Sequence, residues 1–104
     1  KLFAYSVSKG GLLTMTRNLA KAYARHKVRV NYVIPGWVIT EKEIEIQALE
    51  GHDAEWIAQM AQRLPGGRHQ VPEDAAGTVL FLASDYSEQV SGTVVHVDAA
   101  MSLV

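Results

Sequence analysis

A chain of 104 residues, 48% hydrophobic and 20% charged, suits one small globular domain. Its net charge of −1 gives no electrostatic case for nucleic acid or an acidic membrane surface, and no apolar run approaches the ~18 residues of a membrane span. Without cysteine, disulfides and thiol catalysis are excluded and a reducing compartment is allowed; the four histidines (His26, His52, His69, His96) are scattered, so no metal site is expected.

Residues 5–26 read as a helix, because Leu12, Met15, Leu19, Ala22 and Tyr23 fall on one stripe at helical spacing. Arg17, Lys21 and Arg25 lie beside that stripe, and Arg25, His26 and Lys27 place positive charge where the helix dipole favours it. Near the start, Tyr5 and Lys9 are four residues apart and therefore share a face, with Cβ atoms about 5–6 Å apart. At an effective dielectric of about 20, an ammonium some 4–5 Å from a phenolate favours it by roughly 3–4 kcal/mol. That would draw a phenol from its ordinary value near pH ~10 toward neutrality, where a general acid or base works best. Taken alone, such a pair is more often a packed tyrosine beside a solvated lysine, because pairs at this spacing are common on helices; the motifs around it change that reading. Gly10-Gly11 costs the helix roughly 1 kcal/mol per glycine relative to alanine. Either another backbone, a partner helix or a cofactor approaches closely there, or the pair is locally tolerated.

Residues 28–34 (V-R-V-N-Y-V-I) read as a strand that Pro35-Gly36 stops. A helix feeding a strand with no hairpin signal points to parallel α/β layering, in which ligands bind beyond the carboxyl ends of strands. Residues 35–40, Pro-Gly-Trp-Val-Ile-Thr, leave the strand at that end. Thr40-Glu41-Lys42-Glu43 matches a capping box for a helix running to Glu50, with Gly51 ending it. Asp53 can cap a second short amphipathic helix through Trp56, Ile57, Met60 and Leu64, which Pro65 ends. Such a pair above a sheet edge is either packing or a lid. Pro72, with Glu73 and Asp74 in its first turn, opens a helix whose apolar face is Ala76, Val79, Leu80 and Ala83. After a polar connection over 85–92, residues 93–97 read as a buried strand, with His96 a core or edge histidine.

In order and spacing, these pieces resemble the C-terminal part of a classical short-chain dehydrogenase/reductase. The resemblance is carried by Tyr5-Ser6-Val7-Ser8-Lys9-Gly10-Gly11, Val28-Arg29-Val30-Asn31, Pro35-Gly36-Trp37-Val38-Ile39-Thr40, Leu64-Pro65-Gly66-Gly67-Arg68, Pro72-Glu73-Asp74, Phe81-Leu82-Ala83-Ser84-Asp85, Ser91-Gly92 and Val97-Asp98. It implies an α/β fold, the C-terminal part of a Rossmann-type doubly wound parallel sheet in the order helix, strand, lid helices, helix, strand. Residues 1–104 would be the C-terminal portion of a single dehydrogenase domain whose N-terminal cofactor-binding half is absent from this chain. The implied reaction is NAD(P)-dependent interconversion of an alcohol and a ketone or aldehyde. Tyr5 would be the proton donor or acceptor, and Lys9 would assist it and hydrogen-bond the nicotinamide ribose. Tyr5, Lys9, Pro35, Gly36, Val38 and Thr40 would bind NAD or NADP, with the backbone at Val38 and the Thr40 hydroxyl holding the carboxamide. The resemblance further implies a small-molecule alcohol or carbonyl substrate, a cytoplasmic location, and a homodimer or homotetramer of the full-length protein with the first helix at a subunit interface. No nucleic acid or membrane partner is expected.

The chain also departs from the family pattern. It lacks the glycine-rich first turn, the asparagine-containing motif and the upstream serine, and its end motif is Asp98-Ala99-Ala100 in place of Asp-Gly-Gly. The alternative reading is a catalytically inactive fragment or interaction module, unable to bind cofactor by itself, with exposed apolar surface on the first helix. The tail over 97–103 slightly resembles sugar or polyol dehydrogenases of the family.

Overall fold

A computed structural model describes residues 2–103. In chain order the elements are α1 (Phe3–Tyr23), β1 (Tyr32–Pro35), α2 (Glu41–Leu49), α3 (Ala54–Arg63), α4 (Pro72–Ala83) and β2 (Val94–Val97), with 3₁₀ turns at Ala24–His26 and Asp85–Ser87. β1 pairs with β2. Tyr32 N–H donates to Thr93 O and Gly36 N–H to Val97 O, both at 3.0 Å. The equal advance along both strands makes the pair parallel, and the α2–α3–α4 connection supplies the crossover that parallel pairing requires. The α/β order expected from the sequence is therefore observed. The chain divides into two compact units, Lys1–Ile34 with Val79–Val95 and Pro35–Thr78 with His96–Val104.

In the first unit, α1 begins two residues earlier than expected and ends through the 3₁₀ turn at Lys27, whose N–H donates to Ala24 O at 3.0 Å. Its buried side is not the long apolar stripe. Thr16 and Ala20 are buried and Leu13 and Leu19 half-buried, while Leu12, Met15 and Tyr23 are exposed. Small side chains explain the choice: a Cβ at Gly92 would lie 3.4 Å from the Ala20 Cβ, so a bulkier pair could not close together. The strand expected over 28–34 begins only at Tyr32. Residues 28–31 are held by other bonds. Arg29 donates to Ser87 Oγ (2.9 Å) and Leu82 O (2.7 Å), and Asn31 Nδ2 donates to Val90 O (2.9 Å) while its Oδ1 accepts from Thr93 N–H. Ser87, 1% exposed, donates in turn to the carbonyls that end α4. β2 starts one residue later than expected and is half-buried rather than buried, with His96 exposed at its edge. The outward residues of α4 are those expected to form its apolar face: Ala76, Val79, Leu80 (72% exposed) and Ala83.

In the second unit, Thr40 Oγ1 accepts from Glu43 N–H (3.1 Å) and Asp53 Oδ1 from Trp56 N–H (2.8 Å), so both expected caps form. α3 turns Trp56, Ile57 and Met60 inward as its pattern demands. α2 does the reverse: its half-buried positions are Glu43 and Gln47, while Ile44, Ile46 and Leu49 are exposed. At the start of α4, Asp74 accepts from Val71 N–H and makes a two-pronged pair with Arg68, both prongs at 2.8 Å. Those bonds hold the Asp74 carboxyl well below the usual carboxylate range, the Arg68 hydrogen bond contributing most.

Candidate active site

Tyr5 and Lys9 lie one turn apart near the start of α1. The helix phase brings the Lys9 Nζ to 5.4 Å from the Tyr5 ring centroid, within the roughly 6 Å over which a cation is attracted to a ring face. Both side chains are exposed, Tyr5 at 59%, so a small molecule can reach them. Ser8 Oγ donates to Tyr5 O (2.7 Å), and Tyr32 of β1 donates through its hydroxyl to Lys9 O (3.3 Å), bracing the turn that carries the pair. At Gly10 and Gly11 an added Cβ would meet nothing within 4 Å among the described residues, so the close approach considered for that pair is not made by this chain's own atoms.

Pro35, Gly36, Val38 and Thr40 lie on one continuous segment leaving the carboxyl end of β1. Gly36 N–H donates to Val97 O (3.0 Å) and lies 2.7 Å from Gln70 Oε1. A Cβ there would lie 2.7 Å from that oxygen and 3.0 Å from Asp98 Cα, so a side chain at this position would push Gln70 aside and crowd the Asp98 backbone. Gln70 N–H donates to Trp37 O (2.9 Å) and Ile39 N–H to Gln70 O (2.8 Å), pairing Val38 with Gln70 as an isolated parallel bridge. In that pattern Val38's own N–H and C=O face the opposite edge. Among the described residues neither group has a hydrogen-bond partner. Thr40 spends an oxygen lone pair on the Glu43 cap; its hydroxyl hydrogen remains available to donate.

Behind this segment the structure gathers side chains that sequence reasoning did not place in a site. Glu43 Oε1 accepts from Trp37 Nε1 (3.0 Å) and Gln47 Nε2 (2.9 Å), and Gln47 Oε1 meets His52 Nδ1 at 2.7 Å. His52 stacks on Trp56 at 3.6 Å and 3°, and Trp56 approaches Trp37 at 6.1 Å. The His69 ring stands perpendicular to Trp37 at 4.4 Å with its Nε2 buried and unbonded; burial pushes its pKa below the ordinary histidine value, partly opposed by the Glu43 charge. The available signal was the polar pair Glu43 and Gln47 at helical spacing, with a tryptophan directly after Pro35-Gly36. A cavity of about 650 Å³ beside Lys27, Arg29, Asp85 and Glu88 touches none of the expected site residues.

The family model described as enoyl-(acyl carrier protein) reductase matches residues 1–102. The chain is 36% identical over 95 residues to a 2-dehydro-3-deoxy-D-gluconate 5-dehydrogenase of Escherichia coli (strain K12), covering 91% of this chain and 36% of that protein. It superposes with a TM-score of 0.86 and 33% identity on a short chain dehydrogenase family protein from Francisella tularensis, covering 98% of this chain and 44% of that one. An NADPH-bound short chain oxidoreductase from Pseudomonas aeruginosa PAO1, described as containing an atypical catalytic center, matches with a TM-score of 0.80 and 32% identity over 95% of this chain and 38% of that one. The chain thus spans little more than a third of the curated relative's length. From the match over nearly all its residues, the chain belongs to the short-chain dehydrogenase/reductase family.

Proposed function

We propose that these residues are the C-terminal portion of a single Rossmann-type dehydrogenase domain, and that the protein carrying them is an NAD(P)-dependent oxidoreductase interconverting an alcohol and a ketone or aldehyde. The observation that carries the reading is the Lys9 ammonium held beside the Tyr5 ring on an open face of α1, in a chain of this family. In the reduction direction the Tyr5 phenol gives its proton to the substrate carbonyl oxygen and becomes phenolate; in oxidation the phenolate takes the substrate hydroxyl proton. The Lys9 charge favours the negative charge on the phenolate oxygen. A bound nicotinamide dinucleotide supplies or takes up the hydride. The residues present fit it: an unpaired N–H and C=O at Val38 match the donor and acceptor of a carboxamide, and the Thr40 hydroxyl has a hydrogen to donate. Either NAD or NADP is compatible with these groups. A sugar-derived alcohol is the substrate class favoured by the gluconate-type relative. Cytoplasmic location and assembly as a homodimer or homotetramer belong to the same proposal.

The test is Tyr5→Phe in the full-length protein. Turnover should fall about 10²- to 10⁴-fold while the affinity for NADH and NADPH holds; near-normal turnover would remove Tyr5 from the chemistry. A screen of sugar alcohols and sugar acids with both oxidised cofactors tests the substrate class. The second reading, an inactive fragment or interaction module, draws on the outward apolar faces of α1 and α4. A natural product with an intact mass near 11.4 kDa that binds neither nucleotide would favour it.

A further inference from the structure

We propose that Glu43 is a positioning residue that fixes both ends of the Trp37–Thr40 segment at once. The proposal rests on the reading above, in which that segment holds a nicotinamide. One end is fixed through the side chain, since Glu43 Oε1 accepts from Trp37 Nε1 at 3.0 Å. The other is fixed through the backbone, since Glu43 N–H donates to Thr40 Oγ1 at 3.1 Å and so aims the hydroxyl assigned to the carboxamide. Two independent observations mark this as more than a local cap. First, the carboxylate of a capping box normally turns back to the cap residue's own N–H; here it is diverted to the indole. Second, α2 turns Ile44, Ile46 and Leu49 outward, so apolar burial does not hold it in place. A helix of nine residues is not stable by itself. Its seat against the segment therefore depends on the polar contacts of Glu43 and Gln47. The remaining members close a ring: Gln47 to His52 at 2.7 Å, His52 stacked on Trp56, and Trp56 edge-on to Trp37. Removing the Glu43 carboxylate frees the Trp37 indole and Gln47 directly, and the Thr40 hydroxyl through α2, whose Glu43 N–H loses its fixed place.

The experiment compares Glu43→Ala, Glu43→Gln and Trp37→Phe in the full-length protein. It reads NADH and NADPH affinity by nucleotide fluorescence, kcat and KM, and backbone amide exchange over residues 37–49. Glu43→Ala should weaken nucleotide binding about tenfold to a hundredfold, with kcat at saturation falling no more than about threefold, and should speed exchange across 37–49. Glu43→Gln keeps the oxygen acceptor and should restore binding and slow exchange, a rescue that mere bulk at this position would not require. Trp37→Phe removes the indole donor, with part of the ring that meets Trp56 and His69, and should shift binding in the same direction as Glu43→Ala, which keeps the test decisive should the alanine variant fail to fold. Nucleotide affinity unchanged in Glu43→Ala, a glutamine variant as impaired as the alanine one, or unchanged affinity in Trp37→Phe overturns the proposal. If the unsubstituted protein binds neither nucleotide, the functional reading fails by itself. Exchange then judges Glu43: faster exchange in the alanine variant with rescue by glutamine supports it, and unchanged exchange overturns it.

Discussion

Ala99 and Ala100 follow one another in the left-handed region, with φ of 49° and 67°. An L side chain there costs about 1–2 kcal/mol per residue, which glycine avoids. Asp98 sustains the turn: its carboxylate accepts from Ala100 N–H (3.1 Å) and Ser102 N–H (3.3 Å), and its carboxyl is held below the usual range foremost by a hydrogen bond with the Ser102 side chain, with these backbone bonds behind it. Ala99→Gly and Ala100→Gly should each stabilise the protein by about 0.5–1 kcal/mol net of the extra unfolded-state freedom of glycine, read as a higher urea midpoint. His69 makes a prediction of a different kind. Its folded pKa lies below its unfolded one because burial disfavours the charged ring. The unfolded chain therefore binds the proton first, so the contribution is fully present above the unfolded pKa of about 6.5 and is lost as pH falls below it. Urea midpoints taken between pH 8 and 5.5 should decline less steeply in His69→Phe than in the parent.

Among the elements, the short strand pair and its flanking helices depend on side chains standing in for backbone ladders. Arg29 donates to Leu82 O and Ser87 Oγ at the carbonyl end of α4, where a cation is also favoured by the helix dipole. Removing it leaves the Ser87 hydroxyl and the α4 carbonyls without that donor in a half-buried place. Arg29→Ala should cost about 2–4 kcal/mol, seen as an earlier thermal transition, and Arg29→Lys should recover only part of it, because an ammonium cannot span the fork of acceptors. The helices α1, α2 and α4 share a second property. α1 and α4 turn outward side chains that their periodicity marks as apolar faces, Leu12 and Met15, Val79 and Leu80, while α2, which has no such face, also exposes Ile44 and Leu49. Periodicity finds the apolar stripe correctly but does not say which neighbour covers it. Within the described residues the neighbours sit against the small or polar side instead.

For the whole molecule, the consequence is a chain with little core of its own. Ala20 is the one buried hydrophobic residue among those described, against large exposed side chains such as Leu49 (88%) and Phe3 (82%). Apolar exposure on this scale drives association. Expressed by itself, the 104-residue chain should bind a hydrophobic dye and sediment above its monomer mass of 11.4 kDa. A clean monomer with no dye binding would contradict the exposed faces.

The sequence by itself determined the element order, both helix caps in the α2–α3 pair, the helix opening at Pro72 and the family. These are local signals: a side chain bonding a backbone N–H three residues on, a ring that fixes φ, an ordered set of motifs. It also placed Tyr5 and Lys9 on one turn, since helical spacing alone brings them together. Only the tertiary structure decided which helix faces turn inward, that residues 28–31 leave the strand for side-chain bonds, and that Glu43 reaches Trp37. Those outcomes depend on residues distant in sequence competing for the same face or the same donor, and no local pattern records who wins.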